Sequence, residues 1–380
     1  MNIQDKMLIY DPNYTGHHSE FINNILTYIE QYPLLNKKIF FAIHPRIIEM
    51  LNLKNRIIPN VEYIILPKKE KISILARYFY QLSEVKTIAK KKDIKHVLLL
   101  YLNSFFISLA FGQYDFLVYG IIFDPFNPNC EQYSFLKRLS KEFYYCIVSK
   151  RQMVKKLFVL NDKKSCEYLN RHFCTDKFHY LPDPIPYYEK EELPKEIVEI
   201  KHTRKIALHF GAMDGRKGTL LILDAIAMLP ADVIQEISFF FVGKPNTETF
   251  GMLLKNKIDQ LQSQISNIHI HYNPHFVSAG QMESYYELSD FVLMPYLSNN
   301  MSSGVLGHAA KHNKSVITGR GLLGEIVEEY GLGVSINTNV ENLNSSIQNL
   351  TLNKTHTNGI KYVEEHSVDI FVEILLNCLK

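Results

Sequence analysis

The residues best placed to act on an anion lie in the second half of the sequence. In HFGAMDGRKGTLLILDAIAMLP, Gly211, Gly215 and Gly218 let the backbone bend close to a ligand, and Arg216 and Lys217 bring two positive charges to the same turn. Such a pair can neutralise the charge that builds on a diphosphate as it leaves. In FFFVGKP, Gly243 follows an apolar run, and its missing side chain leaves room beside a base or ribose. In DFVLMPYLSNNMSSGVLGHAAKHNKSVITGR, a polar loop leads through Ser302 and Ser303 into Gly304 and Val305. Both serines are good N-caps, so the stretch offers a helix N-terminus with unpaired N–H groups and a favourable dipole. The same elements would also serve an ordinary βαβ crossover with no ligand.

The elements that must position these groups alternate regularly. Strands are expected at 206–210, 238–242, 268–272, 291–295 and 315–318, with helices at 219–228, 247–265, 280–289 and 304–312 between them. Alternation of this kind argues for a parallel sheet with helices on both faces, and ligands bind such sheets at the carboxyl ends of the strands. One crevice would then see Arg216, Lys217, the Gly243 turn and the amides of 302–305. His308 lies one turn from Gly304. His308 and His312 are four apart, a spacing some zinc pairs use, but no HExxH motif or cysteine partner accompanies them, so no metal is expected.

The first half repeats the pattern. A strand at 7–10 leads into DPNYTGHH, with Gly16 in the loop and His17 and His18 at its mouth, and Ser19 is expected to cap a helix over 20–31. Either histidine could face a ligand or solvent. Further strands are expected at 39–43, 61–66, 97–102, 116–123 and 145–149. Asp124, before Pro125, would end a strand where ligands bind, or cap the following turn. Residues 68–92 form a basic amphipathic region that could rest on a membrane surface or pack on the sheet. The proline-bearing segment 181–205 is the best linker, so two α/β domains are expected, 1–188 and 189–380. The apolar closing segment, about 366–379, should pack back on the body of the protein.

Composition narrows the function classes. The net charge of +3 over 380 residues hides an asymmetry: residues 1–185 hold 26 Lys+Arg against 17 Asp+Glu, and the remainder 16 against 22. The basic half suits anionic lipid headgroups or an acidic glycan, or is simply a solvated Lys-rich surface. No nucleic-acid pattern interleaves aromatic and base-reading side chains, so no nucleic-acid partner is expected. The five cysteines (Cys130, Cys146, Cys166, Cys174 and Cys378) form no CxxC pair, which fits reduced thiols in a cytoplasm. No signal peptide is apparent, and the most apolar region, 97–111, falls short of the roughly 20 residues a bilayer span needs. A cytoplasmic protein, peripheral to the inner face of the membrane at most, is expected.

The order FGAMDGRKGTLLILDAIAMLP, FFFVGKP, YYELSDFVLMPY and SSGVLGHAAKHNKSVITGRGLLGEIVEEYGLGVSI resembles the nucleotide-sugar domain of group 1 glycosyltransferases, the retaining GT-B family 4. The resemblance covers roughly residues 205–337; the first half fits only through the Gly16 loop and strand order. It implies a GT-B fold of two Rossmann-like domains with a cleft between them. It also implies a metal-independent hexosyltransferase that takes a nucleotide-diphosphate sugar as donor, with no cofactor. The acceptor would be a glycan or a lipid-linked glycan, in cell-surface polysaccharide synthesis. Lys217 matches the family's diphosphate-binding lysine. The usual arginine position is Ala212 here, and Arg216 would substitute from the other side of the turn. Two family glutamates, one near the donor sugar and one on the ribose, correspond to Asn300 and His308. Asp124, with His17 second, is the candidate polar group near the reaction centre. Loss of both glutamates leaves a second reading open, a catalytically weak nucleotide-sugar-binding relative or scaffold subunit, and a GT-B epimerase is a third.

Overall fold

The computed structural model describes residues 5–34, 36–67, 74–128, 134–297, 303–353 and 357–377. The chain divides into two compact units, one of Met1–Pro182 with Val368–Lys380 and the other of Asp183–Ser367.

The first unit is built on seven parallel strands: β1 (Asp5–Asp11), β2 (Lys37–Ile43), β3 (Val61–Ile65), β4 (His96–Leu99), β5 (Leu117–Ile122), β6 (Val154–Leu160) and β7 (Phe178–Leu181). Their order is β3-β2-β1-β4-β5-β6-β7. Successive side chains of β1 go to opposite cores, Leu8 and Tyr10 to one and Met7 and Ile9 to the other. Helices cover both faces, so the strands read as continuous apolar runs. The closing helix Val368–Leu376 packs on the same core as helix His18–Gln31, with the rings of Phe21 and Phe371 4.8 Å apart.

Three local expectations for this unit need correction. Residues 145–149 are not a strand but lie within helix Phe135–Lys150. Tyr145 and Val148 are buried three apart, which is a helical period, and the Ser134 hydroxyl caps the helix by accepting from the Lys137 N–H. The strand beside β5 is β6, whose early Lys155 and Lys156 break up the apolar signal. β4 stops at Leu99, and a 3-10 turn at Leu102–Ser104 follows. The first helix begins at His18, so Ser19 lies inside it and His17 takes the cap position without a side-chain cap.

The second unit carries β8 (Lys205–Phe210), β9 (Ile237–Val242), β10 (His269–Asn273), β11 (Phe291–Met294), β12 (Ser315–Gly319) and β13 (Gly333–Ile336). All pairings are parallel, in the order β10-β9-β8-β11-β12-β13. The chain runs outward from β8 to β10, then returns to place β11 on the other side of β8. That reversal opens a crevice at the carboxyl ends of β8 and β11. The division between the units, after Pro182, falls within the segment read as a linker, and the rest of that segment is structured in the second unit: Ile185 bridges to Ser367, the Glu191 N–H donates to the Gly280 carbonyl at 3.2 Å, and Lys195–Ile200 is helical. Pro194 sits at that helix's start, where a missing N–H costs nothing. Among the described residues no helix is long and apolar enough to cross a membrane.

Candidate functional site

The turn after β8 is fixed from beneath by His209. This buried ring holds Nδ1 2.9 Å from the Leu293 carbonyl on β11 and Nε2 3.0 Å from the Thr219 hydroxyl. Burial lowers its pKa to about 4, so the ring is neutral and Nδ1–H donates to the Leu293 carbonyl, while the Thr219 hydroxyl beside Nε2 donates to the Asp214 carbonyl at 3.1 Å. Above it, Asp214 caps the 3-10 turn Gly215–Lys217 by accepting from the Lys217 N–H at 2.8 Å. Arg216 reaches the same carboxylate at 3.3 Å and stays more than half exposed. The Leu297 N–H donates to the Arg216 carbonyl at 2.8 Å, tying the segment after β11 to this turn.

These constraints aim Lys217 at the strand ends. A Cβ built on Gly211 would stand 3.0 Å from Lys217 Nζ and 3.9 Å from Val305 Cγ2, and Nζ lies 5.4 Å from the Tyr296 ring centroid. Gly243 has φ +137, and a Cβ there would run into the Gly211 carbonyl. Glycine at both positions is what lets the two turns touch. Gly211, Lys217, Gly243 and Val305 therefore meet at the crevice between β8 and β11.

Helix Gly304–Lys311 enters from the β11 side. Ser303 occupies its cap position in an extended conformation but makes no side-chain cap; its hydroxyl lies 3.3 Å from the Tyr296 hydroxyl instead. Ser303 therefore does not cap the helix with its side chain, contrary to the expectation from sequence. Asn300 and Ser302 lie outside the described residues.

His308, one turn further along, sits on a buried carboxylate. Its Nδ1 is 3.2 Å from Glu283 Oε1, poorly aligned for a hydrogen bond, and its ring packs 5.5 Å from that of Tyr286. Glu283 lies on helix Ala279–Leu288 and is 1% exposed. It also accepts from Lys311 Nζ at 2.9 Å and from His312 Nε2 at 2.6 Å. Burial pushes its pKa up, but the polar contacts with His308, His312 and Lys311 outweigh this and hold it well below the usual carboxylate range. The His308 and His312 pair thus shares its carboxylate with an ammonium group.

In the first unit the corresponding reversal lies between β1 and β4. β1 ends at Asp11, fully buried, which accepts from the Asn13 N–H at 3.0 Å and pairs with His18 Nδ1 at 2.6 Å. The His18 ring stands 5.7 Å from Tyr101 and 6.2 Å from Phe123. Of the two neighbouring histidines, His18 is thus the one fixed at the strand ends. His17 is about half exposed and 3.6 Å from Glu20, and Gly16 takes φ +77 in open space. Asp124 follows β5 with its side chain 2.7 Å from Lys141 Nζ, and its carbonyl accepts from Asn103 Nδ2 at 3.0 Å. Reading the sequence alone missed the Asp11–His18 pair; the signal was a carboxylate at the end of an apolar strand, seven residues before a histidine.

Two units, each a parallel sheet covered by helices, with the last helix of the chain returning to the first unit, define the GT-B fold, and solved structures share it along the whole chain. WaaG, described as a glycosyltransferase involved in lipopolysaccharide biosynthesis, has a TM-score of 0.68 at 17% identity over 99% of both chains. HepE from Anabaena, in complex with UDP and glucose, has a TM-score of 0.68 at 13% identity over 99% of both chains. Sucrose-phosphate synthase from Thermosynechococcus elongatus has a TM-score of 0.71 at 12% identity over 98% of both chains. No protein-family model matches the sequence, and no curated protein matches it significantly. Identities this low establish the fold, and function must be argued from the site.

Proposed function

We propose that this protein is a retaining glycosyltransferase that moves a sugar from a nucleotide-diphosphate sugar to a glycan or lipid-linked acceptor, in cell-surface polysaccharide synthesis. The observation that carries the reading is Lys217 Nζ held beside Gly211 and Val305 at the chain reversal between β8 and β11. A diphosphate there meets an ammonium and the first-turn amides of a helix, which stabilise it as it leaves. Arg216 adds charge from the rim, and the Gly243 turn leaves room for ribose or base. His308 takes a ribose hydroxyl. The bond from the sugar's anomeric carbon to the diphosphate oxygen breaks, and a bond to the acceptor oxygen forms on the same face. The acceptor's proton passes to the departing diphosphate. Asp11–His18 and Asp124 serve the acceptor, and no metal is required. The presence of UDP and glucose in HepE supports the donor class.

Calorimetric titration of wild type and Lys217→Ala with UDP-, GDP-, ADP- and dTDP-sugars tests this. One donor should bind wild type and lose about tenfold or more in affinity in the variant, the equivalent of at least ~1.4 kcal/mol. Unchanged affinity refutes the assignment. Binding without transfer to any acceptor pool would favour a nucleotide-sugar-binding relative, the reading suggested by Asn300 and His308 standing where the family has glutamates. Conversion of the donor without acceptor would indicate an epimerase.

A further inference from the structure

Arg138 stands in the first turn of helix Phe135–Lys150, and its Nε is buried without a hydrogen-bond partner. The residue best placed to pair with it along the helix, Glu142 four positions on, is turned to His172 Nε2 instead, at 2.7 Å. A half-buried cation without a counter-charge costs free energy that an anion beside it would offset. At about 100° per residue Arg138 shares a helix face with Lys141 and Tyr145, three and seven positions on. That face turns to the carboxyl end of β5. Lys141 Nζ lies 2.7 Å from the Asp124 carboxylate, and the Tyr145 hydroxyl donates to the Asp124 carbonyl at 3.3 Å. Arg138 therefore stands one turn nearer the helix start, on the face that looks onto the same strand end.

The surroundings are aromatic and carry more positive than negative charge. The Tyr101 ring lies 5.5 Å from that of Phe123 and 5.7 Å from that of His18. Burial raises the pKa of the Tyr101 hydroxyl, the Asp124 carboxylate adds to the rise, and the Arg77 guanidinium opposes it, so both charges act at this hydroxyl. Asp124 is matched by Lys141 and Asp11 by His18. Arg77 and Arg138 then stand as additional positive charge at this sheet end. We propose that the acceptor carries an oxyanion, a phosphate or a carboxylate, and that Arg138 holds it at the carboxyl end of β5. A guanidinium offers parallel N–H groups to two oxygens of either group. The rings of Tyr101 and Phe123 suit the apolar face of a sugar next to it. This names the chemical class of the acceptor and so rests on the transferase reading, but binding of the oxyanion is measured without donor or turnover.

Ligand-observed NMR titration of the full chain with glucose 6-phosphate, glucuronate and glucose tests this. A Lys217→Ala background removes the ammonium of the second unit's crevice, so that anion binding there does not mask the signal. At least one charged probe should bind about tenfold or more tightly than glucose, and which one does so separates a phosphate from a carboxylate. Adding Arg138→Ala should weaken that probe by about tenfold or more and leave glucose unchanged. Far-UV circular dichroism controls for folding. If Arg138→Ala does not fold, Arg77→Ala at its exposed position decides alone, with an expected loss of about two- to fivefold. Equal binding of the three probes overturns the proposal, as does a failure of both charged probes to bind. So does equal binding by the parent and the deciding variant, or a loss that is the same for glucose. Calorimetric donor affinity of Arg138→Ala alone should match wild type, so failure of the donor assignment and failure of this one are told apart.

Discussion

Replacing Glu283 by glutamine tests whether the buried carboxylate organises the flank of helix Gly304–Lys311. The substitution keeps volume and removes one negative charge from among Lys311, His308 and His312. Lys311 Nζ would keep only uncharged neighbours, the amide oxygen at 283, the Pro186 carbonyl at 3.2 Å and the face of Tyr187 at 4.1 Å, and its side chain is only 11% exposed. Removing one member of a buried ion pair costs about 3–5 kcal/mol, because the remaining charge stays desolvated. For a unit the size of Asp183–Ser367 each kcal/mol moves the Tm by about 2–4 °C, so the variant should melt roughly 6–20 °C lower by differential scanning calorimetry at neutral pH. The sign of the pH dependence follows from the depressed pKa of Glu283. Its stabilisation is fully present above the unfolded carboxylate value of about 4.3 and is lost as pH falls from there toward the much lower folded value. The gap between wild type and variant should therefore be constant at neutral pH and narrow below about pH 4. Adding Lys311→Met to Glu283→Gln should recover part of the loss, since it removes the orphaned charge. A Tm shift under about 2 °C at neutral pH for Glu283→Gln alone, or a gap that widens in acid, would refute the reasoning.

Gly243→Ala should cost about 1–3 kcal/mol from its φ of +137 and the clash with the Gly211 carbonyl, and should abolish the donor-induced thermal shift. His209 predicts a second pH effect with a different window. Its folded pKa of about 4 lies below the unfolded value of about 6.5, so the unfolded chain binds a proton the native state refuses. Stability is full above about pH 6.5 and should fall by about 3 kcal/mol as pH drops to about 4, visible in urea midpoints, and His209→Gln should flatten that limb.

How much of this was legible depended on what each signal encodes. The strands of the second unit stood out because β8, β9, β11 and β12 are buried on both faces and therefore nearly unbroken in apolar residues. β6 was missed because Lys155 and Lys156 open it, and 145–149 misled because a short apolar run has no period of its own. Glycine and lysine spacing located the turn after β8, since those residues answer local geometric demands. Partnerships across the sheet were not legible. Nothing near His308 in sequence announces Glu283, and nothing near His18 except its spacing announces Asp11, because both pairs are made by the packing of separate elements.

The Glu283–His308 contact also bears on the glutamate that the resemblance leads one to expect at position 308. Nδ1 of His308 faces a Glu283 carboxylate oxygen at 3.2 Å, so Nε2 is the ring nitrogen left to meet the ribose hydroxyl proposed above. An imidazole nitrogen, like a carboxylate oxygen, can hydrogen-bond a hydroxyl. The negative charge has moved one helix back, to Glu283, where Lys311 and His312 share it. Histidine in place of glutamate thus keeps a hydrogen-bonding partner for the contact proposed for the ribose and leaves no carboxylate at position 308 beside the proposed diphosphate. The missing carboxylate is therefore a weaker argument against donor binding than the sequence alone makes it.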